Sequence, residues 1–240
     1  MDGDRVRSWW RHQVLKQAIY LHVLIINIYM TNKTPTSSSS TKLSKRQREI
    51  LVGLLLGDGH LETQNQGRTY RLKVEHSLKQ KDYTFWLYQE FRDFIPGKVY
   101  TRKRGNYEVV GFRTISHPTF RFYGQQFYPE GKKVIPNTIH KMLKPLSLAI
   151  WFCDDGSRKS IKHSTFNIHS LGYTKRDLQR VQEVMKSTLK IETTLHKQGK
   201  QHRIYIPQRS ATLFASIVNP IVRLFPSMNQ KLVDNNMPKE

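Results

Sequence analysis

The sequence predicts an α+β fold made of two pseudo-symmetric αββαββα halves, each with a four-stranded antiparallel sheet. The first observation is a repeated apolar run, Ile50–Gly59 (I-L-V-G-L-L-L-G-D-G) and Leu148–Gly156 (L-A-I-W-F-C-D-D-G), which ends both times on an acidic residue and a glycine. The second is that segments of apolar and polar alternation, typical of half-buried strands, follow each run. The third is that helical periodicity returns after these strands in both halves. We therefore expect an internal repeat of structure rather than of residue identity.

The first half opens with a predicted helix over Leu43–Asp58. Ser44 and Gln47 have the spacing of a capping box at its start, and Gly59 stands where glycine commonly ends a helix. The remaining predicted elements are a strand at Thr69–His76, a helix at Lys81–Phe94, strands near Lys98–Lys103 and Tyr107–Ser116 around a turn at 104–106, and an aromatic-rich helix at Pro118–Phe127.

The second half repeats this order after a short helix at Asn137–Leu143. Thr174 and Asp177 form an acidic variant of the capping box at the start of its longest helix. Its predicted elements are helices at Ser147–Asp155 and Thr174–Leu189, a strand at Thr165–Ser170, a hairpin of Glu192–Gln198 and His202–Pro207 around Gly199, and one or two helices over Ser210–Leu224 broken at Pro220.

Composition shifts divide the chain into four segments. Residues 1–42 are predicted to be an N-terminal extension with a flexible Ser/Thr-rich linker, residues 43–131 the first half, 132–146 the inter-half linker and 147–240 the second half. The apolar run Gln17–Met30 is shorter than the roughly 20 residues that cross a bilayer, so we expect no membrane partner.

The charge balance predicts a polyanionic partner. The 240 residues include 40 Lys+Arg and 18 Asp+Glu, for a net charge of +22. The cations are interleaved with aromatic and amide side chains, which is typical of a nucleic-acid-binding face built into a fold. A single cysteine, Cys153, excludes a disulfide framework and a cysteine-rich zinc site. The ten histidines are scattered and are expected to form no ligand cluster.

The two acid-tipped helices predict a shared site. Each is apolar on nearly all sides, as a buried helix is. Small residues recur four apart on both, at Gly53 and Gly57 and at Ala149 and Cys153. Such residues let two helices approach closely, so we expect the helices to pack side by side and bring Asp58 and Asp155 together. Cys153 and Trp151 are assigned to packing.

Two adjacent carboxylates at helix C-termini attract a cation. A proton or a bound cation relieves their repulsion, and the negative helix ends add to the attraction. Hard divalent ions take oxygen ligands, and a pair of metals suits phosphodiester hydrolysis. The competing interpretation is turn chemistry after a helix. The recurrence of the motif in a chain of charge +22 favours the catalytic interpretation.

The two runs resemble the signature motifs of the LAGLIDADG homing endonucleases, in the monomeric double-motif type encoded in organellar group I introns. The stretch Gly131–Gly156 and the late Asn229–Leu232 add to a resemblance that covers about Leu43 to Leu232. It implies a monomer that makes a double-strand break in a long asymmetric DNA site, with Mg²⁺ or Mn²⁺ as cofactor. It also implies a saddle-shaped sheet of each half in the major groove and a place in the mitochondrion or chloroplast.

The resemblance also assigns site residues. Asp58 and Asp155 match the last acidic position of each motif, so each is expected to be catalytic and to bind metal for one DNA strand. Family members use one basic residue per half, and the local match identifies Lys133 and Lys231. The residues that precede the aspartates, Gly57 and Asp154, are further metal-site candidates. The chain departs from the motif because Ile150 matches Gly53 and Asp154 matches Gly57, which predicts an asymmetric helix interface.

Strand alternation predicts the DNA-facing side chains. They are Arg71, Lys73, Glu75, Arg102, Arg104 and Arg113 in the first half, and Asn167, His169, Lys197, Gln201 and Arg203 in the second. Arg, Lys, Asn and Gln can read base edges or hold phosphates. For each one alone, the alternative is a solvated sheet edge.

Three other functions compete with DNA cleavage. The first is an RNA maturase that binds its group I intron RNA and assists splicing, with or without DNA cleavage. A DNA-binding regulator on a decayed scaffold is the second, and the intact acidic positions count against it. A glycosidase with paired carboxylates is the third, and the strong positive charge disfavours it.

Overall fold

Two four-stranded antiparallel sheets, each flanked by helices, form the fold. The computed structural model describes residues 42–159 and 165–232, which belong to one compact unit, Thr41–Glu240. The strand orders are β1-β2-β4-β3 in the first sheet and β5-β6-β8-β7 in the second, so both sheets have the same topology. The predicted α+β fold with two similar halves is confirmed. The predicted extension and its apolar run Gln17–Met30 lie outside the described residues.

The elements follow each other in the predicted order. The helices are α1 (Lys45–Leu56), α2 (Lys81–Glu90), α3 (Arg121–Phe127), α4 (Ile139–Met142), α5 (Pro145–Asp155), α6 (Lys175–Leu189) and α7 (Gln208–Val222). The strands are β1 (His60–Glu62), β2 (Arg71–Ser77), β3 (Tyr100–Arg104), β4 (Tyr107–Arg113), β5 (Gly156–Arg158), β6 (Phe166–Ile168), β7 (Thr194–Gln198) and β8 (Gln201–Ile206). Across residues 42–159 and 165–232, every helix falls short of the length and hydrophobicity of a bilayer span.

Side-chain caps start α1 and α6 as predicted. The Ser44 hydroxyl accepts the Gln47 N–H at 3.1 Å, and the Gln47 side chain accepts the Ser44 N–H at 2.9 Å. Thr174 and Asp177 make the same reciprocal pair. A cap of this kind stabilises a helix by about 1 kcal/mol.

The end of α1 differs from the prediction. The helix stops at Leu56, and its C-cap is Gly57 rather than Gly59. The Gly57 N–H still donates to the Gly53 carbonyl at 3.0 Å. Asp58 therefore lies just beyond the helix, in the short turn that leads to β1.

Two proline positions correct the predicted helix bounds. The helix α5 begins at Pro145, two residues before the predicted start, because proline fits the first helical position, where its missing N–H is not needed. The predicted break at Pro220 is wrong, since α7 is continuous to Val222. Pro220 stands close to the C-terminus of α7 and removes one main-chain hydrogen bond. The buried Phe214 packs this helix against α5, with its ring centroid 5.1 Å from that of Phe152.

The helices α1 and α5 pack side by side at the centre of the molecule, as predicted. A Cβ atom added at Gly53 would lie 2.6 Å from both the Ile150 Cβ and the Ser147 carbonyl oxygen. One added at Gly57 would lie 2.6 Å from the Asp154 Cβ. The predicted small residues of α5, Ala149 and Cys153, do not form this surface. They lie on another side of the helix, because residues 147, 150 and 154 share one face at 3.6 residues per turn.

After α7, the chain packs against the first half of the molecule through a second contact. The Phe225 ring packs 4.9 Å from Tyr83 and 5.4 Å from Trp86, between ring centroids. The Ser227 N–H and hydroxyl both donate to the Asp82 carboxylate, at 3.0 and 2.5 Å. A 3₁₀ segment, Pro226–Lys231, follows, and it carries Lys231 to the C-terminal end of α5.

We expect Gly53→Ala to destabilise the protein by about 1–3 kcal/mol, because the new methyl group meets a Cβ atom and a main-chain oxygen that cannot rotate away. Gly97→Ala is the matched control, since a Cβ there meets nothing within 4 Å. Urea unfolding of both variants measures the difference. Equal midpoints for Gly53→Ala and wild type would show that the helices do not need the glycine.

Candidate active site

The C-terminal ends of α1 and α5 bring three carboxylates close together. Asp58 follows α1 and is accessible to solvent, whereas Asp155 is the half-buried last residue of α5. Asp154 precedes it, with a side chain that has no exposed surface. The predicted neighbourhood of Asp58 and Asp155 is seen in a hydrogen bond, since the Asp58 main-chain N–H donates to the carboxylate of Asp154, the residue that precedes Asp155.

Asp155 has the most perturbed environment of the accessible carboxylates. Burial, with the charges of Asp154 and Asp58, raises its pKa to about 7. The Trp151 indole N–H donates to Asp155 Oδ2 at 3.0 Å and opposes this shift. The sequence assigned Trp151 to packing alone, and it is fully buried. Its spacing of four residues from Asp155 was the signal for the second role.

Asp58 shows the same tendency in a more open position. Its side chain reaches solvent, yet the surrounding protein partly desolvates it, and the Asp154 carboxylate adds repulsion. Both effects raise the pKa of Asp58, while the nearby Lys133 and Lys231 oppose them. Two carboxylates whose ionised forms are disfavoured gain stability when a cation binds between them.

The two predicted lysines occupy matching places. The Lys133 ammonium donates to the carbonyls of Gly57 and Gly59, at 2.5 and 3.0 Å. The Lys231 ammonium donates to three carbonyls at the end of α5, those of residues 152, 153 and 154. Burial lowers the pKa of both lysines, and the site carboxylates oppose the shift. Each lysine thus stabilises the negative end of one motif segment, and its part in catalysis stays a prediction.

Asp154 faces the first half of the molecule. Its Oδ2 accepts the Asp58 main-chain N–H at 2.9 Å, and its Oδ1 accepts the Tyr83 hydroxyl at 2.9 Å. His76 Nε2 lies 3.6 Å from the same Oδ1. The expectation that no histidine joins a ligand cluster is wrong, because potential ligand atoms of Asp58, His76 and Asp154 lie within 4.8 Å of one another. In β2, His76 lies on the same core-facing side as Leu72. This alternation in the sequence could have predicted that the His76 side chain is buried.

The oxygen donors differ in how well they suit a hard divalent cation. Asp58 and Asp155 offer carboxylates that solvent can reach and whose charges repel. The predicted donor Gly57 already accepts Lys133 with its carbonyl. Asp154 is enclosed, and each of its oxygens accepts a protein donor. The donor set therefore fits an oxygen-seeking ion best at Asp58 and Asp155.

The outward face of the first sheet carries all six of the predicted residues. Strand register places on it Arg71, Lys73 and Glu75 of β2, Arg102 and Arg104 of β3, and Arg113 of β4. The face is pre-ordered by ion pairs, with Arg71 2.8 Å from Glu62 and Arg102 2.8 Å from Glu75. Burial favours protonation of Glu75, but hydrogen bonds from Arg102, Tyr100 and Lys73 outweigh it, so the pKa of Glu75 is lowered.

In the second sheet, two of the predicted DNA-facing residues, Lys197 and Asn167, differ from the prediction. Register places Asn167, Gln201 and Arg203 on its outward face, and His169 follows there with its ring 2.8 Å from the Ser157 hydroxyl. Lys197 lies on the opposite face, because Gly199 and Lys200 form the turn and the register pairs Lys197 with His202. Asn167 is on the predicted face but is only 4% exposed.

Two outward residues of the second sheet were missed by the sequence analysis. His196 and Gln198 take the outward positions on either side of Lys197. The His196 ring stacks on Tyr205 at 4.2 Å between centroids, and the Lys159 ammonium lies 5.5 Å from the same tyrosine ring. The prediction placed Lys197 on the face of Gln201, whereas the register pairs Gln198 with Gln201. This difference of one residue in register exchanges the two faces and explains the miss.

Two basic sheets joined by paired acid-tipped helices define a double-motif protein of the LAGLIDADG class. The model of the LAGLIDADG DNA endonuclease family matches residues 48–214, and the chain belongs to this family. The match spans both motifs, both sheets and Lys133.

Similar proteins agree with this assignment. DNA endonuclease I-ChuI of Chlamydomonas applanata is 29% identical over 214 residues, which cover 81% of this chain and 97% of that protein. Cytochrome b mRNA maturase bI2 of Debaryomyces hansenii is 29% identical over 203 residues, covering 79% and 74%. Among solved structures, the homing endonuclease I-WcaI bound to its DNA recognition sequence has a TM-score of 0.73 at 26% identity, covering 86% of this chain and 97% of that one.

The raised pKa of Asp155 predicts a stability that falls with pH when divalent metal is absent. The folded state keeps this proton up to about pH 7, whereas an unfolded aspartate loses it near its ordinary pKa of 3.8. Stability is therefore fully present below that lower value and is lost as pH rises towards 7. Asp155→Asn removes this titration. We therefore expect the free energy of unfolding of the variant, relative to that of wild type, to be larger at pH 8 than at pH 5.

Unfolding in urea with a chelator at both pH values measures this difference. Asp93→Asn, at an exposed position, is the control for removing a carboxylate. A wild type and an Asp155→Asn variant with parallel pH profiles would contradict the assigned environment of Asp155.

Proposed function

We propose that the protein is a site-specific DNA endonuclease that makes a double-strand break in a long asymmetric target and so promotes intron homing. The observation that carries this proposal is the placement of Asp58 and Asp155 at the ends of two packed helices, between two outward sheet faces rich in cations. Family membership and the similarity to a homing endonuclease bound to its DNA support it.

The chain's own residues divide the work of cleavage. Asp58 and Asp155 each serve one strand and would hold a divalent metal, Mg²⁺ or Mn²⁺. Such a metal, when bound, activates the attacking water and stabilises the leaving oxygen. Lys133 and Lys231 place positive charge beside the two carboxylates. The carboxylate charges in turn favour the protonated form of each lysine. The carboxylate pair with raised pKa values supports this division, since it favours cation binding.

The sheets hold and read the DNA in this proposal. Arginine and lysine side chains hold phosphates, whereas Gln201 and the arginines can also reach base edges in the major groove. Both motifs lie in one chain, so the site is complete in a monomer. The residues 43–131 and 147–240 form the two halves, joined by the linker 132–146. We assign the protein to an organelle, mitochondrion or chloroplast, on the family resemblance.

Asp58→Asn and Asp155→Asn test the proposed chemistry. We expect each variant to lose double-strand cleavage by at least about a hundredfold, because a neutral amide neither binds the metal nor orients water as a carboxylate does. DNA binding should stay within about twofold, as the sheets are untouched. The assay uses a plasmid that carries the intron-less form of the gene interrupted by this reading frame, with Mg²⁺ or with EDTA.

Asp93→Asn is the matched control for this assay and should cleave like wild type. Cleavage that persists in either motif variant, or in EDTA, would show that these carboxylates are structural. Wild-type protein that binds the plasmid target but leaves it intact with Mg²⁺ would contradict the nuclease function itself.

Arg104→Ala and Lys103→Ala test the predicted DNA face. The two residues are neighbours in β3, both exposed, but register places Arg104 outward with Tyr107 and Lys103 on the other side with Glu108. We expect Arg104→Ala to weaken DNA binding and to lower the slope of log K against log salt by about one. Lys103→Ala should change neither by a measurable amount. Equal effects of the two variants, measured by fluorescence anisotropy, would count against the assigned face.

An RNA maturase is the second candidate function. The similarity to cytochrome b mRNA maturase bI2 of Debaryomyces hansenii favours it. The discriminating experiment measures binding of the intron transcript and its splicing with wild type and with Asp155→Asn. Splicing that is assisted equally by both proteins would establish a maturase activity independent of the acidic site.

A further inference from the structure

The second motif carries one more acidic side chain than the first, and the structure gives it a separate task. We propose that Asp154 is a positioning residue that holds Asp58 across the interface of the two halves, with Tyr83 and His76 as its support. Cleavage of the strand served by Asp58 then depends on Asp154 more than cleavage of the other strand does. This inference rests on the proposed endonuclease function.

The main chain of Asp58 is fixed from the opposite half. Because α1 ends at Leu56, the Asp58 N–H points out of the helix, and it donates to Asp154 Oδ2 at 2.9 Å. The Gly57 and Gly59 N–H groups donate back into α1, at 3.0 and 2.7 Å. Among the N–H groups of residues 57–59, that of Asp58 is the one that donates to α5. Lys133 binds the carbonyls of Gly57 and Gly59 but does not contact this N–H.

Asp154 is itself held rigidly. Its side chain has no solvent-exposed surface, and Oδ1 accepts the Tyr83 hydroxyl at 2.9 Å. Tyr83 is fully buried between His76 and Phe225, with its ring centroid 4.9 Å from each. The packing of the ring in this aromatic cluster fixes the position from which the hydroxyl donates to Asp154. The carboxylate is thus clamped between a donor from α2 and a donor from the turn it positions.

His76 completes the support from β2. Its Nδ1 lies 2.9 Å from the Thr84 hydroxyl, which fixes the ring, and its Nε2 lies 3.6 Å from Asp154 Oδ1. Within residues 42–159 and 165–232, Nε2 is buried and makes no hydrogen bond. Buried polar atoms in proteins usually have a polar partner. For this nitrogen the neighbouring polar group is the Asp154 carboxylate, which the His76 ring helps to hold in place.

The first motif has no equivalent of Asp154. The matching residue is Gly57, and the tight contact with the Asp154 Cβ leaves no room for a side chain there. Asp155 is held differently, as the last residue of α5 with a hydrogen bond from Trp151. The two catalytic candidates therefore have unequal supports, although the fold that carries them is nearly symmetric.

A metal-ligand role suits Asp154 less well than a positioning role. A nuclease metal must also contact the scissile phosphate and a water molecule. Asp154 has no exposed surface and uses each oxygen as an acceptor within the protein, whereas Asp58 remains open to solvent. The two roles make opposite predictions for an amide replacement, because asparagine keeps the acceptor oxygen and loses the charge.

Strand-resolved cleavage of a target duplex labelled differently on its two strands tests the proposal. We expect Asp154→Ala to slow one strand about tenfold more than the other, since a small misplacement of a catalytic group has a large effect on rate. Asp154→Asn should keep the wild-type ratio of strand rates, because its Oδ1 still accepts the Asp58 N–H. Tyr83→Phe, which removes only the hydroxyl, should shift the ratio in the same direction as Asp154→Ala.

A metal-free measurement separates positioning from loss of fold. In protein labelled with ¹⁵N-aspartate, the Asp58 amide resonance should move upfield in Asp154→Ala and stay near its wild-type position in Asp154→Asn. Folding and DNA affinity of Tyr83→Phe provide the control if Asp154→Ala does not fold.

Three outcomes would overturn the inference while the endonuclease function stands. The first is that Asp154→Ala and Tyr83→Phe slow cleavage of both strands equally. The second is that Asp154→Asn changes the strand rates as much as Asp154→Ala does. The third is that the Asp58 amide resonance does not move in Asp154→Ala. Wild-type protein that cuts neither strand would instead contradict the proposed function, so the two failures are distinguishable.

Discussion

The close approach of α1 and α5 is the constraint on which the rest of the structure depends. Gly53 and Gly57 remove side chains from one helix where the other presents Ile150 and Asp154. Because these are the matching positions of the two motifs, a residue in one copy fills the space that its counterpart leaves empty. This contact sets the relative position of the two sheets, and it brings the C-terminal helix ends, with their carboxylates, to one place.

That place is electrostatically costly for the folded protein. Three carboxylates gather at two negative helix ends, and burial together with the neighbouring carboxylate charges raises the pKa values of Asp58 and Asp155. Lys133 and Lys231 offset part of this repulsion by binding the helix-end carbonyls. A bound cation would relieve the remaining repulsion, so the same carboxylates that destabilise the folded protein would also favour metal binding.

The sequence predicted what depends on local pattern and missed what depends on packing. Capping pairs, the strand β2 and both acidic positions follow from residue type and spacing, and the structure contains them. The direction of Asp154 does not, because it is set by Tyr83 on an element 71 residues away. Lys197 was assigned to the wrong face because the hairpin register pairs Gln198, and not Lys197, with Gln201, and a difference of one residue exchanges the two faces. Pro220 stays helical because tertiary contacts of α7 with α5 override its local preference.

The return of the chain from α7 to α2 couples completion of the site to the order of synthesis. Lys231 reaches the end of α5 only through the segment that Phe225 and Ser227 anchor on the first half. When α1, α5 and both sheets of a nascent chain have emerged from the ribosome, Lys231 and the anchoring residues Phe225 and Ser227 have not yet followed. The acidic centre is therefore completed late, after both sheets, and a chain interrupted before residue 231 contains the sheets and the carboxylates but lacks the lysine that binds the end of α5.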